Sequence, residues 1–420
     1  MEQALLLNVH LTDRHYQDSW PVEESAHELL ELVRSSGARV VEQLVVNRDR
    51  PTPNFFIGKG KTQEIHDQCH LLKANVVVVG EDLSFSQQQN LEDVIGVKVI
   101  DRTQLILDIF AQRARSEEGK VQIELAQLEY LLPRLAGKGI LLSRLGGGIG
   151  TRGPGEQKLE VDRRRIRLRI KRLSRELEEI HRRRGVARQK REEEEVPSVA
   201  LIGYTNVGKS TLLNALTQAG ARSEDRLFTT LDPLSRRLML PHHQQILLSD
   251  TVGFLHRLPH HLIEAFQATL EEVAHSDLLL HLMDASHPML EEQAASVREV
   301  LKTLQAEGRP TLIAFNKVDQ IDPQTLESLR RHHPEAVFIS AKTGQGLSEL
   351  LDRLSNSLSY LLKPATIWIS EKGQRWLEQV YEQGQVLNRS FLKGGVLLEA
   401  RVPHRLYGQL AKAGLLKLSS

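Results

Sequence analysis

The sequence predicts an α/β protein of several domains, and three observations carry that prediction. A short apolar strand at 197–202 runs straight into a glycine-rich loop and then a helix. Apolar strands alternate with amphipathic helices through about the first 110 residues. Apolar residues then recur at heptad spacing in two stretches, 121–135 and 159–180. The expected architecture is an N-terminal α/β subdomain (1–113), a helical hairpin with a tip loop and charged linker (114–195), a P-loop nucleotide domain (196–362) and a small C-terminal αβ domain (363–420). A chain of 420 residues is long enough for two to four such domains.

Composition narrows the classes further. Hydrophobic residues make up 40% and charged residues 26%, ordinary values for a folded chain. A single cysteine, Cys69, supports neither a disulfide framework nor a zinc finger. The N-terminus lacks the basic and apolar regions of a signal peptide, and no apolar stretch is long enough for a spanning helix. A cytoplasmic protein is expected, and a peripheral association with membranes stays open.

In the N-terminal region the apolar runs at 4–9, 40–45, 75–79 and 97–100 read as strands. The stretches 24–35 and 61–72 carry helical spacing. The segment 54–61, Asn-Phe-Phe-Ile-Gly-Lys-Gly-Lys, opens a helix and is either an anion contact or an ordinary turn. Beyond it, Val121, Leu125, Leu128, Leu132 and Leu135 form one heptad seam. Leu159, Ile166, Ile170, Leu173, Leu177 and Ile180 form another. Two such helices joined by a connection pack as an antiparallel hairpin. The second, over 159–180, should be roughly 35–40 Å long. Residues 182–195 read as its frayed end and a linker.

The net charge of +1 hides a segregation. Between Asp162 and Arg191 fourteen Lys or Arg face four Asp or Glu. Such a run is either a solvated helix face or a contact for a polyanion. The connection favours the polyanion: six glycines lie between Gly146 and Gly155, and they leave the backbone open to close approach. Arg144, Gly150, Arg152, Gly153, Gly155, Lys158, Arg163 and Arg164 are the candidate RNA contacts. Folded RNA offers the narrow anionic cavity that such a tip would enter.

The nucleotide domain is the most specific part. Gly203, Tyr204, Thr205, Asn206, Val207, Gly208, Lys209, Ser210 and Thr211 match the G-x-x-x-x-G-K-[ST] phosphate loop in its strand–loop–helix setting. Its N–H groups and the helix N-terminus suit phosphate oxygens, Lys209 the outer phosphates, and the Ser210 hydroxyl Mg²⁺. Asp250, Thr251, Val252 and Gly253 end a strand, placing a carboxylate at the Mg²⁺ shell and an N–H at the γ-phosphate. Between them lie Phe228, Thr229 and Thr230, of which Thr230 can close over Mg²⁺. Asn316, Lys317, Val318 and Asp319 follow another strand, where a buried Asp319 carboxylate would accept from guanine N1–H and N2–H₂. Adenine would leave that carboxylate unpaired, at a cost of a few kcal/mol. Ser340, Ala341 and Lys342 supply a backbone contact to the base. Five motifs in this order predict a P-loop GTPase domain binding GTP or GDP, with Lys209, Thr230 and Gly253 as its catalytic set and Ser210 and Thr230 as metal ligands. Phe254 stands where many GTPases have a water-orienting glutamine. Slow intrinsic hydrolysis is therefore expected, accelerated by a partner or a cation.

At this point the chain resembles the HflX family of translational GTPases, within the Obg–HflX group. The resemblance covers nearly the whole length. Its most specific parts are 148–164 (Gly-Ile-Gly-Thr-Arg-Gly-Pro-Gly-Glu onward), 101–110 (Asp-Arg-Thr onward) and 228–233 (Phe-Thr-Thr-Leu-Asp-Pro). Family members often carry alanine where this chain has Thr229. The resemblance implies a ribosome-binding factor that splits stalled ribosomes, particularly after heat stress, by engaging the large subunit near the peptidyl transferase centre. The phosphate loop also resembles that of potassium-activated GTPases, which makes Asn206 a candidate ligand for K⁺ as a further cation. The family resemblance also associates ATP hydrolysis with the N-terminal region, where no complete phosphate loop is present. A monomer is expected. The alternatives are a GTP-switched RNA-modification or assembly factor, and a regulatory GTPase acting on a protease or membrane complex.

Overall fold

In the computed structural model the described residues are 2–13, 20–144, 154–193, 196–217, 228, 234–242, 244–257, 259, 267–371 and 373–417. They form two compact units, the first built on residues 1–180 with the segments 226–231 and 259–266, the second on the remainder.

The first unit opens with β1 (Gln3–Leu11), α1 (Val22–Ser36), β2 (Arg39–Arg48), α2 (Lys59–Leu72), β3 (Val76–Val79), α3 (Phe85–Ile95), β4 (Lys98–Ile100) and α4 (Arg102–Arg113). The strands lie in the order β2-β1-β3-β4, all parallel. A parallel sheet covered on both faces demands continuous apolar strands. β3, four valines all buried, meets that demand. Leu5, Leu7, Val77 and Val79 pack with Ile65 of α2 and Leu91 of α3, while α1 and α4 pack against each other. The helices have local stop and start signals. Ser84 and Gln87 form a capping box at α3, and Gly37 and Gly96 end α1 and α3 in the left-handed conformation. Cys69 is buried in this core, which pushes its thiol pKa up and removes it from thiolate chemistry.

Two long helices follow, α5 (Glu117–Arg144) of 28 residues and α6 (Pro154–Glu193) of 40. Val121, Leu125 and Leu173 are buried together, with Leu128, Ile170 and Leu177 packed against them. These are heptad positions, and they join α5 to α6. Arg169 clamps Glu124 across the pair with two bonds of 2.7 Å. That bidentate pair holds the Glu124 carboxyl below the usual carboxylate range. The expectation of a frayed end over 182–195 fails: α6 continues to Glu193, and its 40 residues span about 60 Å rather than 35–40 Å. Arg, Lys, Gln and Glu are all good helix formers, and no proline intervenes before Pro197.

A buried carboxylate ties α5 to the α/β layer. Asp101, fully buried, caps α4 by accepting from the Gln104 N–H at 2.8 Å. It also accepts from the Tyr130 hydroxyl at 2.8 Å and from the Arg134 guanidinium at 2.9 Å. That guanidinium lies over the Tyr130 ring, 3.4 Å from its centroid. Burial pushes the Asp101 pKa up, against the pull of its hydrogen bonds and of Arg134. Nearby, Arg102 of α4 pairs with Glu28 of α1 in a buried ion pair.

The second unit begins with β5 (Ser198–Gly203), α7 (Lys209–Thr217), β6 (Leu234–Met239), β7 (Gln245–Asp250), α8 (Gln267–His275), β8 (Leu278–Asp284), α9 (Leu290–Thr303), β9 (Thr311–Asn316), α10 (Pro323–His332), β10 (Val337–Phe338) and α11 (Leu347–Ser357). Its six strands run in the order β10-β9-β8-β5-β7-β6, parallel except for β6. A second, antiparallel sheet follows: β11 (Leu362–Ser370), α12 (Gln374–Gln383), β12 (Gln385–Leu392), β13 (Gly395–Pro403), α13 (His404–Lys412) and β14 (Leu416–Lys417). Among the described residues no helix is long and apolar enough to cross a membrane.

Removing the Asp101 carboxylate leaves the buried Tyr130 hydroxyl without its acceptor and takes from the half-buried Arg134 its charged partner, with only carbonyls such as that of Leu83 remaining. Asp101→Ala should therefore destabilise the attachment of α5 by about 3 kcal/mol or more, and Tyr130→Phe by about 1 kcal/mol. Hydrogen exchange checks this: amides of α4 and α5 should lose protection in Asp101→Ala well beyond the loss in Tyr130→Phe.

Candidate nucleotide site

β5 is buried from Val199 to Gly203, and it delivers the loop 203–208 to the start of α7. The loop is close-packed on its neighbours. Gly208 sits at φ 94, and a Cβ there would lie 2.4 Å from Asn316 Nδ2. The Lys209 side chain turns back over the loop and donates to the carbonyls of Gly203 at 3.1 Å and Tyr204 at 2.7 Å. Complete burial lowers its pKa to about 8, with Asp250 pulling the other way. Ser210 Oγ donates to Asp250 Oδ2 at 2.7 Å. A hydroxyl and a carboxylate so joined at the mouth of a phosphate loop fit a Mg²⁺ that takes its other ligands from phosphate and water. Among the described residues no cluster of three His, Cys, Asp or Glu side chains could hold a metal by itself.

β7 ends at Asp250, whose neighbour Thr251 donates to the Leu201 carbonyl at 2.5 Å. Gly253 then passes so near the phosphate loop that a Cβ would stand 2.8 Å from Thr205 Cγ2 and 3.1 Å from Lys209 Nζ. Phe254 continues as one more rung beside Tyr204. Its N–H donates to the Gly203 carbonyl at 3.1 Å, and its carbonyl accepts from the Thr205 N–H at 2.8 Å. The Phe254 side chain is 1% exposed. It has neither a polar group nor access with which to orient a water. Tyr204 fastens the next turn, its hydroxyl accepting from the His256 N–H at 2.7 Å.

The base loops converge from β9 and β10. Asn316 donates from Nδ2 to the Val207 carbonyl at 2.7 Å and accepts at Oδ1 from the Ala341 N–H at 2.9 Å. It therefore links the phosphate loop to the 340–342 loop. Lys317, at φ 64, sends its ammonium to Asp284 Oδ2 at 2.7 Å. The pattern reading had missed Asp284; its position at the end of the fully buried β8 was the available signal. Ser340 is buried and accepts at Oγ from the Thr343 N–H at 3.2 Å. The Val318 N–H donates to the Ile339 carbonyl at 3.2 Å. Asp319 and Lys342 are exposed. This corrects the expectation of a buried Asp319: the carboxylate faces solvent. Asn206, exposed at φ 62, occupies a backbone region that asparagine tolerates.

The remaining sequence candidates fall elsewhere. Phe228 belongs to the first unit, where its buried ring meets that of Phe110 edge-on at 4.4 Å between centroids. Thr229 and Thr230 lie outside the described residues, as do Gly150, Arg152 and Gly153. Arg144 ends α5, and Gly155 and Lys158 lie in the first turns of α6. Further along α6, Arg163 is half-buried and Arg164 exposed.

Comparison with known proteins agrees with these motifs. Residues 23–111 match the family described as GTP-binding GTPase N-terminal, 113–191 GTP-binding GTPase Middle Region, and 198–317 50S ribosome-binding GTPase. The chain is 48% identical to the GTPase HflX of Lacrimispora saccharolytica, covering 92% of this chain and 91% of that protein. It is 40% identical to the GTPase HflX of Escherichia coli K12, covering 96% and 94%. A solved GTP-binding protein from the archaeon Sulfolobus solfataricus, in complex with GDP, is 25% identical over 86% of this chain and 100% of that one, with a TM-score of 0.44.

The lowered Lys209 pKa makes binding pH-dependent. Between pH 8 and the ordinary lysine value the nucleotide-free site holds fewer protons than the unfolded chain, so stability rises with pH across that window. A triphosphate restores the proton, so affinity should fall above pH 8, towards about tenfold per pH unit. Calorimetry in buffers of different ionisation enthalpy should detect proton uptake near pH 9 that is absent in Lys209→Met.

Proposed function

This chain belongs to the HflX family of GTPases, and from that premise we propose that it is a ribosome-splitting factor gated by GTP. The GTPase activity itself follows from membership and from the P-loop GTPase domain. The finer reading concerns where it acts and how the nucleotide controls it.

In this reading Lys209 neutralises the outer phosphates, and Ser210 and Thr230, with Asp250 nearby, would hold a Mg²⁺ that offsets phosphate charge. The Gly253 N–H contacts the γ-phosphate. For a γ-phosphate to enter, the segment 252–256 must shift from its present contact with Thr205, because Gly253 now lies against that loop. The γ-phosphate would thereby be sensed by a backbone displacement. Asp319 pairs with guanine, Ala341 lies beside it, and Asn316 positions both loops rather than touching the base. Asn206 is the ligand for K⁺, which would supply charge that Phe254 cannot help to organise.

The RNA half rests on one observation: a 40-residue helix carrying the arginine-rich run is held on a hairpin whose base is anchored by Asp101. Exposed Arg164, Arg165, Arg167 and Arg172 line α6. The tip, with Arg144, Gly150, Arg152, Gly153, Gly155, Lys158 and Arg163, would enter large-subunit RNA. Binding energy that is greater for the strained than for the intact ribosome then separates the subunits, and hydrolysis releases the factor. The chain acts as a monomer in the cytoplasm.

Two experiments test this. GTP turnover should be slow alone and rise by at least about tenfold with purified large subunits, and monosomes should separate on sedimentation with a non-hydrolysable GTP analogue. Intact monosomes and unstimulated turnover would defeat the reading. Asp319→Asn should weaken GTP binding by about 2 kcal/mol or more while improving xanthosine triphosphate, whose O2 accepts the new amide donor. Competition binding with the two nucleotides measures that exchange.

A further inference from the structure

The C-terminal sheet has one covered face and one open face. Its order β12-β13-β11-β14, with α12 and α13 as crossovers, makes a split βαβ arrangement with β11 and β13 in the centre. Ile367, Ile369, Leu398, Ala400 and Val402 face α12 and α13 and are buried with Val380, Leu406 and Leu410. Alternation sends their neighbours to the opposite side. There Trp368 of β11 stands across from Leu397 of β13, and Thr366 across from both Glu399 and Lys417. Trp368 and Leu397 are half-buried, whereas Glu399, Asn388 and Ser390 are exposed. One end of this face is closed by α11, where Gln385 donates to Ser355 Oγ at 3.3 Å. Trp368 lies towards the other end.

Charge and geometry both favour an anionic, planar ligand. Residues 362–420 carry nine Lys or Arg against four Asp or Glu, while the whole chain nets only +1. The Lys417 ammonium lies 5.1 Å from the Trp368 ring centroid. Phe391 and Arg389, across from Val396 and Leu398, lie on the helix-side face and take no part in this surface. An aromatic ring accompanied by a cation suits a chain that presents flat bases along a phosphate backbone. The apolar area on the open face is one indole, Leu397 and, at its edge, Leu392, small for the desolvated centre of a protein interface. A flat sheet has no element to enter a duplex groove, and stacking on Trp368 requires an unpaired base.

We propose that this open face binds single-stranded RNA. One base stacks on Trp368, Lys417 and Arg401 hold phosphates on either side, and Asn388, Ser390 and Glu399 meet base edges. Glu399 disfavours phosphate near it and accepts from a base amine instead. This surface is additional to the hairpin tip of the proposed function, and either can fail without the other.

The full chain labelled with 5-fluorotryptophan gives one ¹⁹F resonance for each of Trp20, Trp368 and Trp376, with Trp368→Phe assigning the second. An oligouridylate of about ten nucleotides should shift the Trp368 resonance saturably and leave that of the buried Trp20 in place. Base stacking is sequence-tolerant, so an oligoadenylate should do the same. Lys417→Glu and Arg401→Glu should each weaken the response by about tenfold, with GTP turnover unchanged as the control for folding. A Trp368 resonance that does not move, while anisotropy shows the oligonucleotide bound elsewhere or not at all, overturns the proposal. An equal response to duplex RNA or to polyglutamate overturns it too, since either marks a face that reads charge alone. Stimulation of turnover by large subunits would stand in any of these cases.

Discussion

A single amide side chain holds the two halves of the nucleotide site in register. Asn316 donates to the Val207 carbonyl in the phosphate loop and accepts from the Ala341 N–H in the base loop. Its own position is set by β9, which lies between β8 and β10 in the parallel sheet. Gly208 is part of the same constraint, because any Cβ there would strike the Asn316 amide. The spacing between the phosphate loop and the 340–342 loop is thus built into the protein itself. Asparagine suits the position because it offers a donor and an acceptor at once; aspartate would repel the Val207 carbonyl.

The second constraint is the crowding around Gly253. The segment after β7 lies directly on the phosphate loop, with Phe254 bonded to Gly203 and Thr205. Close packing of this kind gives discrete arrangements rather than a continuum. If, as proposed, this segment shifts for a γ-phosphate, it would act as a two-state element. The buried Phe254 ring gives the resting state an apolar anchor and explains why a water-orienting side chain is missing from that position.

The hairpin depends on a different device. Heptad packing alone would hold α5 against α6 but leave the pair free to pivot. Asp101 removes that freedom by drawing the α4 N-terminus, Tyr130 and Arg134 onto one carboxylate. Rigidity at the base is what the proposed use of the hairpin as a cationic lever would require.

Much of this was legible in residue order. The strand runs at 4–9, 75–79 and 197–202, the seam through Val121, Leu125 and Leu173, and the phosphate loop are local patterns whose period or spacing states their structure. Other features were not, because they depend on residues far apart in the chain. The persistence of α6 to Glu193 was hidden by charge density, which resembles a linker although each residue favours helix. Asp319 is exposed because a base-binding edge must stay open, and no local pattern records solvent access. Asp284 stands at the end of an apolar run, but its pairing with the Lys317 ammonium is seen only in the fold. The sequence by itself determined the elements, the nucleotide class and the sign of charge on α6. Only the tertiary structure decided that Asn316 is a brace, that Asp101 is a joint and that Trp368 faces away from its helices. Each of those depends on which groups, distant in sequence, the sheets bring within bonding distance.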